Sequence, residues 1–173
     1  MSNIRIKTLQ RKIKLYYKKS SRVLPWRIKI GKNQEPYRTL ISEIMLQQTR
    51  VNAVLDYYKV FLDKFPDIRV LALAKEEEVL IIWSGLGYYR RAINLHRTAK
   101  IIVKEYDGII PSDKAVLKNL PGIGEYTSSA IASFAYGKEE LAIDTNVERF
   151  IKRIFNIKDN NLSANKTKEL GYK

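Results

Sequence analysis

Apolar residues return every three or four positions along almost the whole chain, and Gly and Pro interrupt that rhythm at short intervals. A 3.6-residue period builds helices with one apolar face, and no run alternates with the period of two that a strand requires. The expected class is all-α. Ile4, Ile6, Leu9, Ile13, Leu15 and Tyr16 mark a broad stripe on a basic first helix, 1–19, the expected core face of that helix. Turn and breaker residues follow from Ser20 through Pro25 to Gly31 and Pro36. Helices are predicted over 37–48, 51–65 (stopped by Pro66), 68–74, 76–83 and 88–106. Pro111-Ser112-Asp113 opens a short one, with Ser112 as its cap. Residues 120–124 form a tight turn, and helices over 126–136, 145–155 and 164–170 complete the set. The stretch 166–173 reads as the beginning of a helix rather than a domain edge.

Composition narrows the partners. The 173 residues carry 32 Lys and Arg against 18 Asp and Glu, a net charge of +14. That balance favours a polyanion, although a Lys- and Glu-rich solubilising surface has the same signature. With 45% hydrophobic residues the chain holds enough apolar surface for a real core. Cys is absent, which removes disulfides and thiolate metal sites from these residues, and His96 is the only histidine. No segment approaches the roughly 18 apolar residues of a membrane span, and the basic start lacks an apolar secretory core. A soluble, intracellular protein is expected.

The segment Leu120-Pro121-Gly122-Ile123-Gly124-Glu125-Tyr126-Thr127 lies between two predicted helices. Pro121 fixes φ, Gly122 and Gly124 permit the turn and a close backbone approach, and Ile123 anchors the loop. Amides at the following helix start then face a site suited to phosphate. A plain helix–helix turn has the same composition, so the segment alone leaves both readings open. Twenty residues beyond Gly124 comes Ala142-Ile143-Asp144-Thr145-Asn146-Val147. That pairing resembles the helix-hairpin-helix (HhH-GPD) DNA glycosylase superfamily. Pro25-Trp26-Arg27, the run Ser42 to Val51 around Glu43, and Trp83 to Ala92 are similar to one branch, the MutY-type adenine DNA glycosylases.

The resemblance implies a lobe over 27–138, a six-helix barrel holding the helix-hairpin-helix at about 113–136. A second helical lobe, incomplete at its C-terminal side, is expected from 1–26 and 139–173. It also implies base excision, most simply of adenine opposite 8-oxoguanine or guanine. The thymine or uracil mismatch glycosylases of the same superfamily are an alternative, and a catalytically inactive DNA-binding module is another. Cleaving an N-glycosidic bond calls for one protonated and one ionised carboxyl. By resemblance, Glu43 protonates the base and Asp144 stabilises the cationic sugar. Burial among Ile41, Ile44, Met45 and Leu46 would raise the Glu43 pKa. Taken singly, Glu43 reads as a solvated helix carboxylate and Asp144 as a helix cap. The lyase branch has Lys where this chain has Tyr126, so no Schiff base is expected there. Tyr126 would contact the flipped base or sugar, or pack between helices.

Gln48 and Tyr88 correspond to residues inserted into the stack when a base is flipped. Trp26, Arg27 and Leu46 would line the base pocket, although the loop 28–35 is longer than usual. Gly122, Gly124 and Thr127 would hold the DNA backbone, with Arg50, Arg90, Arg91, Arg97, Lys118 and Lys138 as phosphate contacts. The partner is thus double-stranded DNA with a mispaired or damaged base, met by a monomer and no membrane. Relatives carry a four-Cys [4Fe–4S] segment and an 8-oxoguanine-reading domain. Neither is expected from these residues, and a monovalent cation at the hairpin is the one bound ion anticipated.

Overall fold

The computed structural model describes residues 3–27, 29–30, 33–157 and 164–172. Met1, Ile28, Gly31, Lys173 and the side chain of Ile4, all used in the sequence reading, lie outside the described residues. Ten helices are described: α1 Asn3–Ser20, α2 Pro36–Leu46, α3 Val51–Lys64, α4 Ile68–Leu73, α5 Glu76–Trp83, α6 Arg90–Glu105, α7 Lys114–Lys118, α8 Glu125–Tyr136, α9 Thr145–Ile154 and α10 Ala164–Gly171. The chain divides into two compact units, Pro25–Ala142 and the pair of segments Met1–Leu24 with Ile143–Lys173.

The larger unit is organised around α2. Pro36 starts it, and Glu35 caps it by accepting from the amides of Tyr37 (2.9 Å) and Arg38 (2.7 Å); this satisfies donors that a helix start leaves without partners. Tyr37, Leu40, Ile41, Ile44 and Met45 are buried, because α2 packs against α3, α6 and α8 and against the 3-10 turn Pro25–Arg27. Behind it, Phe61 meets Phe65 and Trp83 edge to face at 5.0 and 6.0 Å, a favoured arrangement for aromatic rings. The breaker-rich loop contains a two-residue ladder, β1 Lys29–Ile30 antiparallel to β2 Asn33–Gln34. A helical period carries no signal for so short a pairing.

Three boundary expectations are corrected. Asp113, not Ser112, caps α7, accepting from Ala115 (2.8 Å) and Val116 (3.0 Å). The helix predicted over 37–48 ends at Leu46, and the one predicted from 88 begins at Arg90. Gln48 and Tyr88 both sit at positive φ, 56° and 51°, and a left-handed residue ends a right-handed helix.

The smaller unit comprises α1, α9 and α10. Ile6, Leu9 and Ile13 of α1 line one groove with Phe150, Ile151, Ile154 and Phe155 of α9 and Leu170 of α10. The broad stripe expected on α1 is narrower than its composition suggested: Ile13, Leu15 and Tyr16 are exposed.

Candidate active site

Glu43 lies in the third turn of α2, half-buried, with Ser42, Ile44 and Met45 fully buried beside it. Burial pushes its carboxyl up to about 7, since removing water penalises the charged form. A hydrogen bond from the Tyr126 hydroxyl opposes that rise. Near neutrality this carboxyl is therefore poised between donor and acceptor, the condition that general acid–base work requires. Tyr126 stands in the first turn of α8 and is 38% exposed. A phenol on the helix after the hairpin thus reaches the carboxyl of the central helix.

The hairpin between α7 and α8 is built from the expected parts. Gly122 has φ +77°, and a Cβ there would come within 2.9 Å of Asn94 Cβ on α6; only glycine gives both the conformation and the approach. Gly124 is different. It is the residue before α8, at φ −91° with side-chain space open for 4 Å, so the protein itself gives no reason to exclude a methyl group. Beyond it the first amides of α8 lack intrahelical acceptors and carry the positive end of the helix dipole. Glu125, in that first turn, is gripped by Lys114 and by Lys118 at 2.9 Å, which hold its carboxylate down to about 2. Lys118, expected on a phosphate, is thus already ion-paired.

Two turns face the hairpin across an open cavity of about 680 Å³ lined by Ile44, Gln47, Gln48, Tyr88, Tyr89, Arg90, Arg91, Asn94 and Gly122. Gln48 and Tyr88 stand exposed on them, Tyr88 at 62%. Arg50 and Arg90 are exposed at the starts of α3 and α6, and Arg97 and Lys138 are exposed as well. Arg91 is not available to phosphate, contrary to expectation: it is 8% exposed and donates to main-chain carbonyls. Thr127 also differs, being 3% exposed with its hydroxyl accepting from Gln47 Nε2 at 3.3 Å. Trp26 is a core residue, 4% exposed and edge-on to Tyr58 at 5.2 Å, while Arg27 and Leu46 are half-buried.

Gln47 escaped the sequence reading, although it sits beside Gln48. Its amide donates to Gly122 O at 3.2 Å as well as to Thr127, so it ties the end of α2 to the hairpin. Asp144 belongs to the smaller unit, where it caps α9. Its Oδ1 accepts from Asn146 N (3.0 Å) and Val147 N (2.7 Å), and its Oδ2 from Asn146 Nδ2 (3.1 Å). The cap fixes the carboxylate's direction.

The HhH-GPD superfamily base excision DNA repair protein model matches residues 41–171, a span that includes Glu43, the hairpin and Asp144. The chain belongs to this superfamily. It is 43% identical over 146 residues to an adenine DNA glycosylase of Buchnera aphidicola subsp. Baizongia pistaciae, covering 84% of this chain and 40% of that protein. The human adenine DNA glycosylase is 40% identical over 144 residues, 80% of this chain and 26% of its own length. The chain therefore spans less than half the length of these relatives. Among solved structures, a thermostable thymine-DNA glycosylase superposes with a TM-score of 0.83 at 27% identity, over 95% of this chain and 77% of that one. An endonuclease III in a non-covalent complex with DNA, 21% identical with a TM-score of 0.80 over 98% of this chain and 76% of that one, shares the fold.

The iron–sulfur cluster implied by the resemblance requires four thiolates, and this HhH-GPD chain has no Cys. Among the described residues no three potential metal-ligating side chains gather either. The residues present do not fit that group. No described helix is long and apolar enough to cross a membrane.

Proposed function

We propose that the chain is a monofunctional DNA glycosylase that binds duplex DNA as a monomer inside the cell, flips a mispaired adenine out of the stack and hydrolyses its glycosidic bond. The carboxyl of Glu43, lifted to about 7 by burial and held by a phenol from the helix after the hairpin, carries the reading. In the proposed step the glycosidic C–N bond breaks, its electron pair leaves with the base, and the Glu43 carboxyl supplies the proton. Asp144 balances the positive charge that develops on the sugar. A water then bonds to C1′ and returns its proton to Glu43, leaving an abasic site. Tyr126, lacking an amine, forms no Schiff base, so the sugar–phosphate backbone stays intact. Adenine is preferred over mismatched thymine because the relatives that match at about 40% identity are adenine DNA glycosylases.

The test is incubation with duplexes carrying A opposite 8-oxoguanine, A:G, T:G and U:G, each with and without alkali. Alkali-dependent cleavage of the adenine duplexes is expected. Cleavage of T:G or U:G alone would transfer the reading to a mismatch glycosylase. Nicks without alkali would overturn the monofunctional assignment, and no product from any duplex would leave a binding module.

A further inference from the structure

Gln48 and Tyr88 share an improbable backbone. Each is a non-glycine residue in the left-handed region, at φ 56° and 51°, a conformation that persists where its surroundings impose it. They lie on separate connections, one between α2 and α3 and the other between α5 and α6. One buried side chain reaches both. Arg91 Nη1 donates to the carbonyls of Met45 (2.7 Å) and Gln47 (2.6 Å), with Ile44 O at 3.2 Å. Its Nη2 donates to Gly87 O at 3.0 Å, with Leu86 O at 3.4 Å. The guanidinium plane also stands 5.3 Å from the Trp83 ring and 5.5 Å from the Tyr88 ring. A planar fork of donors suits several fixed carbonyls, where an ammonium offers one point of charge. Removing it would take a guanidinium donor from Met45 O beside one turn and from Leu86 O on the other, while Thr49 Oγ1 still serves Gln47 O and Trp83 Nε1 still serves Gly87 O.

We infer that Arg91 is a positioning residue, a clamp that joins the two turns and holds Gln48 and Tyr88 in the left-handed conformations from which both enter the duplex together. The inference rests on the proposed base-flipping reading for its purpose, but the clamp itself is testable on the free protein.

Native-state hydrogen exchange on the whole chain tests the clamp directly, comparing wild type with Arg91→Met and Arg91→Lys. The amides of Gln47, Thr49 and Leu86 each donate to a main-chain carbonyl of their own turn. In Arg91→Met all three should exchange at least about tenfold faster, with the amides of α3 and α8 unchanged. Arg91→Lys should restore protection to one turn and not the other, because a single ammonium cannot span both. Wild-type protection of both turns in Arg91→Met, or equal loss throughout the unit, would overturn the clamp. Equal protection of both turns in Arg91→Lys would also do so.

A second measurement addresses purpose, using fluorescence of 2-aminopurine in a mismatched duplex as the report of unstacking. Wild type should raise the signal and Arg91→Met should not, while both bind a duplex with a tetrahydrofuran abasic analogue within about threefold of each other. An undiminished signal in Arg91→Met would overturn the link from clamp to flipping. No signal even with wild type would instead overturn the base-flipping reading, with the exchange result still deciding the clamp.

Discussion

The two units hold the two carboxyls of the proposed mechanism in opposite ways. In Pro25–Ala142, Glu43 stands on a helix whose neighbours are buried on almost every side, and burial itself raises its pKa. In the smaller unit Asp144 has no comparable surround. Of the described residues there, only Leu24, Ile151 and Thr167 are buried, and Leu15, Tyr16, Tyr17 and Phe150 are exposed. Asp144 is directed by three hydrogen bonds at a helix start instead. A group that must be neutral to give a proton gains from a dry setting, whereas one that must stay anionic gains from amide donors. In the proposed mechanism Glu43 is the first case and Asp144 the second.

The largest expected effects are on turnover. Glu43→Gln and Asp144→Asn should each lower single-turnover excision by about 10²–10⁴-fold, the usual range for a lost proton-transfer or charge-stabilising group. Asparagine still caps helices, so Asp144→Asn should retain its thermal midpoint and its duplex affinity. If well-folded Asp144→Asn excises at the wild-type rate, Asp144 is a cap alone and the division of labour between the units fails.

Next come the cores. Phe61→Ala, in the larger unit, should cost about 3–5 kcal/mol, as deletion of a buried aromatic does. Phe150→Ala, at a side chain 45% exposed, should cost less than about 1 kcal/mol, because much of its surface stays in water. Urea unfolding compares them directly. Equal losses would show that the smaller unit is packed as firmly as the larger.

Within the larger unit the two hairpin glycines should separate. Gly122→Ala meets positive φ and the Asn94 side chain together, and should destabilise by about 1–2 kcal/mol from the left-handed conformation alone. Gly124→Ala should leave the thermal midpoint unchanged and weaken binding to matched and mismatched duplexes alike, as expected of a backbone contact. Loss confined to one mismatch would mean that the hairpin reads a base.

The last effect is on stability with pH. The folded-state pKa of Glu43 lies above its ordinary value of 4.5, at about 7. Its contribution to stability is complete below 4.5 and is lost as pH rises through about 7. The midpoint of Glu43→Gln, measured against wild type, should therefore improve between pH 5 and pH 8. Wild-type kcat/KM should fall over the upper part of the same window, as the proton donor ionises. A constant midpoint difference would place the carboxyl in ordinary solvent.

The helices were legible because period and punctuation agree along most of the chain, and the hairpin because Pro121, Gly122 and Gly124 have few other uses together. What the pattern lacked was knowledge of which faces acquire neighbours. Leu15 and Tyr16 extend the apolar stripe of α1 yet stay exposed. Arg91 shows the reverse. Beside the exposed Arg90 it reads as another surface cation, but 91, 95, 98 and 102 fall on one face of α6, and Leu95, Thr98 and Ile102 are buried. That spacing was the available signal for a buried guanidinium. The ends of α2 and the start of α6 were misplaced for one shared reason, since left-handed Gln48 and Tyr88 obey contacts distant in sequence rather than local propensity.

The grip of Lys114 and Lys118 on Glu125 bears on how DNA binding would respond to salt. A cation reaching a phosphate ordinarily expels a condensed counterion from the duplex, adding about 0.9 to the logarithmic salt slope for each contact. Lys118 starts with a resident anion of its own. Moving it to a phosphate leaves Glu125 with Lys114 alone, and the neutralisation given up there offsets part of the release. Exposed Arg90 has no such exchange to make among the described residues. A salt titration would therefore count fewer cations at the hairpin than a footprint of its phosphates.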